Sequence, residues 1–186
     1  KNWTQLEGRP QYPKETGWQL KKIWQLVPGH SSEPQTVFAG VDEAGLFVSR
    51  DRGQSWQEIE ALTRQPGRDK WFPGNGGLCL HTILIDPKNK DRMWVGISAV
   101  GAFRTDDGGK SWKNLNRDLP NLASGSDEPA YMACVHKIVL DPRGAEHRRH
   151  LHPADALGGG ERQVQRLQRL AGAAEAGGQP VLAGPD

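Results

Sequence analysis

The stretch Ser49-Arg50-Asp51-Arg52-Gly53-Gln54-Ser55-Trp56 returns in altered form as Thr105-Asp106-Asp107-Gly108-Gly109-Lys110-Ser111-Trp112. Each copy follows a short apolar run, Gly45-Leu46-Phe47-Val48 or Gly101-Ala102-Phe103-Arg104. Each leads into a polar–apolar alternation, Gln57-Glu58-Ile59 or Lys113-Asn114-Leu115. Period-two patterns on both sides of a turn-forming run predict a β-hairpin. A turn carboxylate accepts hydrogen bonds from nearby backbone N–H groups, and glycine accepts a positive φ. The second copy offers Asp106 or Asp107 for the carboxylate. Trp56 and Trp112 then lay a large apolar surface over each turn.

Asn2-Trp3-Thr4-Gln5-Leu6 matches the last part of the same unit. Trp3, Trp56 and Trp112 therefore recur at intervals of roughly 55 residues, a period that marks a repeat architecture. Within one period the sequence reads as four strands: Leu20 to Val27, Thr36 to Val41, Leu46 to Arg50 and Trp56 to Ile59. The next period repeats them as Cys79 to Pro87, Met93 to Ser98, Ala102 to Thr105 and Trp112 to Asn116. Cys134 to Pro142 is a near copy of Cys79 to Pro87 and predicts the first strand of a third unit. Four antiparallel strands per unit make a propeller blade. The expected fold is all-β: two full four-stranded blades with single strands of the flanking blades.

The pattern Ser/Thr-x-Asp-x-Gly-x-Ser/Thr-Trp resembles the Asp-box, or BNR repeat, of sialidases, related glycoside hydrolases and sortilin-type receptors. Cys79 to Pro87 together with Ile97 to Gly109 resembles bacterial sialidase-like and glycosyl-hydrolase repeat proteins. The likeness runs over residues 1–142. It implies a propeller in which Asp51, Gly53, Trp56, Asp106, Asp107, Gly109 and Trp112 are structural. The boxes would lie between the third and fourth strands of each blade, away from the ligand face. It also implies that further blades of a longer chain close the ring.

After Pro142 the composition changes. Residues 143–186 contain no Trp, Tyr, Phe, Ile or Lys and are rich in Ala, Gly, Arg and Gln. Such a segment lacks the side chains that strands pack with. It predicts an irregular or weakly helical tail, not the rest of a third blade. An alternative origin is an out-of-frame or joined terminus.

Lys+Arg number 24 and Asp+Glu 22, a net charge of +2. That balance argues against a nucleic-acid partner. No run of 18 apolar residues predicts a membrane helix. Two cysteines do not set the compartment.

Site residues follow from strand alternation. Cys79 with His81, and Cys134 with His136, share one face of an inner strand. Matching Pro28 to Pro87 places Lys22 at the position of His81. Lys22, His81 and His136 are thus expected side by side at one channel mouth, where they would bind an anionic or polyhydroxyl ligand. The connecting loops add Trp71 and Tyr131 as ring-stacking candidates beside Asp69, Asp127 and Glu128. The Cys and His pairs come from separate strands rather than one knuckle, so no metal site and no cofactor are expected. The reading is a sialidase-like propeller that binds, and in its catalytic form hydrolyses, a glycan or similar polar ligand. An enzyme of this kind would be a glycoside hydrolase of the exo-sialidase type, with catalytic residues unassigned. The alternative is a non-catalytic propeller that scaffolds protein partners.

Overall fold

A computed structural model describes residues 4–73, 76–116, 133, 135 and 137–140. Two antiparallel meanders of four strands each dominate it. The first comprises β1 (Lys22–Pro28), β2 (Val37–Asp42), β3 (Gly45–Ser49) and β4 (Gln57–Glu58). The second comprises β5 (Leu80–Asp86), β6 (Asn89–Ile97), β7 (Gly101–Thr105) and β8 (Lys113–Asn114). Strand order follows chain order in both, so each sheet is a propeller blade with β1 or β5 at its inner edge. One helical turn that the sequence did not announce, α1 (Glu60–Thr63), starts the connection between the blades. It forms because Leu62 leaves the strand pattern to bury itself fully in the core.

Alternation along the strands builds three apolar layers. Leu46 and Phe38 of the first blade meet Leu80, Ile83, Val95, Ile97 and Phe103 of the second in the layer between the sheets. Ala39, Val41 and Phe47 point the other way, where Tyr12, Trp18 and Leu20 of the N-terminal segment cover them. Trp94 and Ala102, on the far side of the second blade, receive Val135 and Ile138. Each fully buried Leu or Ile contributes roughly 1.5–3 kcal/mol by leaving water, so the layer between the blades is what makes them one body.

The strand expected over Cys134 to Pro142 supplies this packing, but its described residues 135 and 137–140 form no ladder. Val135 is fully buried and Ile138 nearly so. Apolar side chains thus find the predicted layer, while the backbone has no described partner strand. The segments 117–132 and 141–186, with Tyr131 and the tail, lie outside the described residues, as do Trp3, Cys134 and His136.

The two repeated turns are superposable in their hydrogen bonds. In the first, Ser49 Oγ donates to Asp51 Oδ1 (2.7 Å) and accepts from the Gly53 N–H (2.7 Å). Asp51 accepts from the Ser55 N–H (2.8 Å) and the Ser55 hydroxyl (2.5 Å). In the second, Thr105, Asp107, Gly109 and Ser111 make the same four bonds at 2.7, 2.9, 3.0 and 2.6 Å. Trp56 and Trp112 each donate their indole N–H to the glycine carbonyl, at 3.1 and 3.2 Å. Gly53 and Gly109 have φ of 91° and 93°, a region where a side chain is strained.

The acidic position is thereby settled: Asp107, not Asp106, is the counterpart of Asp51. Asp106 instead takes Arg92 (2.8 Å) and Arg104 (2.6 Å). The two tryptophans cover equivalent turns but are not equally buried: Trp112 is 7% exposed and Trp56 only partly buried. Trp112 sits in the layer between the blades, whereas Trp56 packs on the outer layer of the first blade.

Candidate functional site

The blades have two ends. One carries the Asp51 and Asp107 turns. The other carries the β2–β3 turn, the β6–β7 turn and the long connection from β4 to β5. Chemistry-bearing side chains gather at this second end of the first blade. Asp42 and Glu43 occupy the β2–β3 turn, and Lys21 forms an ion pair with Glu43. Arg68, in a 3-10 turn of the connection, stacks over Trp18 at 4.7 Å and over Trp71 at 4.6 Å. Its Nη2 donates to the Glu43 carbonyl (2.8 Å). Tyr12 donates to the same carbonyl (3.3 Å).

This sandwich ties three separate segments together: the N-terminal stretch, the β2–β3 turn and the connection. A guanidinium suits it because it is flat, stacks on indoles and is weakly hydrated. Burial lowers the Arg68 pKa, partly opposed by the nearby Tyr12, Glu43 and Glu58. Burial likewise raises that of Tyr12 far above the ordinary phenol range, so its hydroxyl is a donor. Nη1 of Arg68, Nε1 of Trp71 and Oε2 of Glu58 are buried without a protein partner among the described residues.

Cys79 lies against Asp42 at the start of β5. Its thiol donates to the Gly76 carbonyl (3.0 Å). Burial, and then the Asp42 carboxylate, push the thiol pKa up to about 11. A protonated buried thiol is neither a nucleophile nor a metal ligand.

The strand register revises the matching of Lys22 with His81. Gln25 faces Gly40 as Thr82 faces Gly96, and Ile23 faces Val41 as Leu80 faces Ile97. Both inner strands carry a bulge at the residue in between, which is Trp24 in one and His81 in the other. Lys22 is therefore the counterpart of Cys79. The two prolines misled the comparison because Pro28 still pairs within the ladder, opposite Val37, whereas Pro87 lies in the β5–β6 turn. The inner strands are nonetheless neighbours, since Gln25 Oε1 accepts the Ile83 N–H (2.8 Å). Lys22 and His81 thus lie on adjacent inner strands, one bulge out of step. His81 Nδ1 is 3.0 Å from the Thr82 hydroxyl.

Trp71, expected as a stacking surface, is 6% exposed and packs on Phe103 at 5.5 Å. Its ring serves the core and the Arg68 sandwich, while the neighbouring Phe72 is exposed. Sequence reasoning missed Trp24, Arg68, Trp18 and Tyr12. The ladder register alone brings Trp24 to the position of His81, since counting from Gly40 and Gly96 along the sequence would place it on Leu80. No sequence signal joins Arg68 to Trp18, which meet only through the fold.

No family model matches the chain. An oligoxyloglucan-reducing end-specific xyloglucanase of Emericella nidulans is 26% identical over 78 residues, 41% of this chain and 9% of that enzyme. A probable enzyme of the same name from Neosartorya fischeri is 27% identical over 84 residues, 45% of this chain and 9% of its own length. The chain thus spans under a tenth of the length of these curated relatives. A crystal structure of a GH74 xyloglucanase from Xanthomonas campestris aligns at a TM-score of 0.39 and 19% identity, over 50% of this chain and 15% of that one.

Proposed function

We propose that these blades belong to a glycan-recognising propeller of the glycosyl-hydrolase type, with the ligand taken at the end opposite the Asp51 and Asp107 turns. The observation that carries the reading is the gathering of two turn carboxylates, a stacked guanidinium and indoles at that end of the first blade. Carboxylates and a guanidinium bind sugar hydroxyls, and the exposed Phe72 ring in the same connection offers a face for the apolar side of a pyranose. The fungal relatives, whose names place them on oligoxyloglucan, support a carbohydrate ligand. The matched networks of the two turns support reading them as Asp-boxes with a structural role.

Hydrolysis at this end would need a carboxylic acid and a carboxylate flanking the scissile bond. Asp42 and Glu43 are the pair we put forward. A sialidase-like version would also need several arginines around a substrate carboxylate. Arg50 and Arg104 stand beside the opposite turns, and of the arginines in the connection at this end Arg64 pairs with Glu60 while Arg68 is stacked between indoles.

The test is a glycan array and a glycosidase screen on the whole chain, beside Asp42→Asn and Glu43→Gln variants of unchanged circular dichroism. Retention of oligosaccharides by the parent chain, weakened in the variants, is the expected outcome. Binding unaffected by both substitutions would move the ligand elsewhere. An empty array would remove the glycan reading.

A further inference from the structure

The first blade exposes three large apolar side chains on its inner strand: Ile23 at 45%, Trp24 at 45% and Leu26 at 58%. Their register counterparts separate them into two kinds. Ile23 corresponds to Leu80 and Leu26 to Ile83, which are 0% and 1% exposed in the layer between the blades. Ile23 and Leu26 therefore occupy a face built to meet another blade. Trp24 corresponds to His81, which stays partly accessible although the first blade lies against its strand. The bulge position thus keeps part of its side chain accessible where a neighbouring blade is present, although Nε2 of His81 is buried. A bulge re-aims one side chain out of the ladder, and bulges concentrate next to functional sites.

We propose that Trp24 and Lys22 form a subsite for a carboxylated pyranose, a uronate or sialate residue, on the inner strand of the first blade. The proposal rests on the glycan reading above and adds the charge of the ligand. The Trp24 indole offers a flat apolar surface for the C–H face of the ring. The Lys22 ammonium stands 5.6 Å from the centroid of that indole. Its neighbour Lys21 is engaged by Glu43, whereas Lys22 has no ion pair among the described residues. A carboxylate on the edge of a ring stacked on Trp24 is within reach of this ammonium. A neutral sugar uses only the indole. The ammonium therefore distinguishes acidic from neutral rings.

The test titrates the whole chain with sialyllactose, trigalacturonate and a neutral xyloglucan heptasaccharide, by calorimetry and tryptophan fluorescence. At least one acidic probe should bind more tightly than the neutral one at low salt, and which of the two does so identifies the source of the carboxylate. Trp24→Ala should weaken that binding about tenfold, a loss of about 1.4 kcal/mol, in the range of a stacked aromatic ring. Trp24→Phe should retain most of it. Lys22→Gln should weaken it about threefold and flatten its salt dependence, as fits an exposed ion pair. Ile23→Thr should leave it unchanged, and circular dichroism should show all four variants folded. Acidic binding indifferent to Trp24→Ala, or tighter binding of the neutral probe, would overturn the subsite while leaving the glycan reading in place. Binding of none of the three probes would remove both.

Discussion

At the end formed by the Ser49–Trp56 and Thr105–Trp112 turns, the blades are interchangeable. The bonds made by the Ser or Thr, Asp, Gly and Trp of one turn have counterparts in the other within 0.2 Å. At the opposite end the blades diverge. The β2–β3 turn reads Asp42-Glu43-Ala44, with positive φ at Ala44, where the β6–β7 turn reads Ser98-Ala99-Val100, with positive φ at Ala99. A Cβ on Gly45 would lie 2.0 Å from the Tyr12 hydroxyl, and one on Gly101 would lie 2.1 Å from the Asn116 amide oxygen. The same close approach is thus made by unrelated side chains. Repetition at one end marks a local solution to a turn that any blade needs. At the other end each blade is closed by contacts of its own, Tyr12 and Arg68 on the Glu43 carbonyl in the first and Asn116 on Ala102 and Val100 in the second.

The largest effect that tests this contrast comes from the tryptophans. Trp112→Ala empties a buried site in the layer between the blades and should cost about 3–5 kcal/mol. Trp56→Ala, with the same indole hydrogen bond but a partly exposed ring, should cost distinctly less. Urea unfolding midpoints of the two variants check the order. Equal losses would mean that the turn itself, not the neighbouring blade, sets the contribution of the indole.

Asn116 and Glu60 supply the next comparison. They hold matching positions, since the preceding residues Leu115 and Ile59 donate to Ala102 and Leu46 in the same way. Asn116 is 1% exposed, accepts the Ala102 N–H (2.8 Å) and donates to the Val100 carbonyl (2.7 Å). Glu60 starts α1 and pairs with Arg64 at the surface. Asn116→Ala strands a buried donor and acceptor and should cost about 2 kcal/mol. Glu60→Ala should stay within about 0.5 kcal/mol. A silent Asn116→Ala would show that the second blade does not depend on this clasp.

The same division explains what was legible in the sequence. The strands and the repeated turns were readable because each is local: alternation, a Ser or Thr, an Asp, a Gly and a Trp within eight residues. Seven of the eight strands fall within about two residues of their expected places, and β6 begins at Asn89, before its expected start at Met93. The expected site was less legible, because Lys22 and His81 were matched by counting along the strands. A bulge and a proline in a different structural setting each broke that count. The Arg68 sandwich joins residues far apart in sequence, and no local pattern encodes it. Trp71 was ambiguous for a related reason, since an aromatic in a connecting loop reads the same whether it points into the core or out to a ligand.

Substituting the turn acids in turn sharpens the assignment within the second copy. Asp107→Asn weakens the bonds that its carboxylate accepts from the Thr105 hydroxyl, the Ser111 N–H and the Ser111 hydroxyl, each matched at Asp51, and should lower the unfolding midpoint about as much as Asp51→Asn. Asp106→Asn loses only partly exposed ion pairs with Arg92 and Arg104 and should lower it least. An Asp106 variant weaker than the Asp107 variant would reverse the assignment of the second turn.

The smallest effect, and the most specific, is in the titration of these acids. The Ser55 hydroxyl, then the Ser55 N–H and the Ser49 hydroxyl, bring the Asp51 carboxyl from 3.8 down to about 2. The Ser111 and Thr105 hydroxyls lower Asp107 further. Asp106 is also lowered, chiefly by Arg104 and then by Arg92. A folded-state pKa below the unfolded one means that the unfolded chain binds the proton more tightly. The contribution of both turns is therefore fully present above about pH 4 and is lost as the pH falls toward 2. Salt separates the causes, because it screens the arginine charges at the surface but not a hydrogen bond. Carboxyl carbon shifts followed from pH 6 to 1.5 should show Asp51 and Asp107 unmoved by half-molar salt, and Asp106 titrating at higher pH in salt than without it. Asp51 titrating at its ordinary 3.8 in the folded chain would mean that the hydroxyl and amide bonds of the turn are not formed in solution, and the equivalence of the two turns would fall with them.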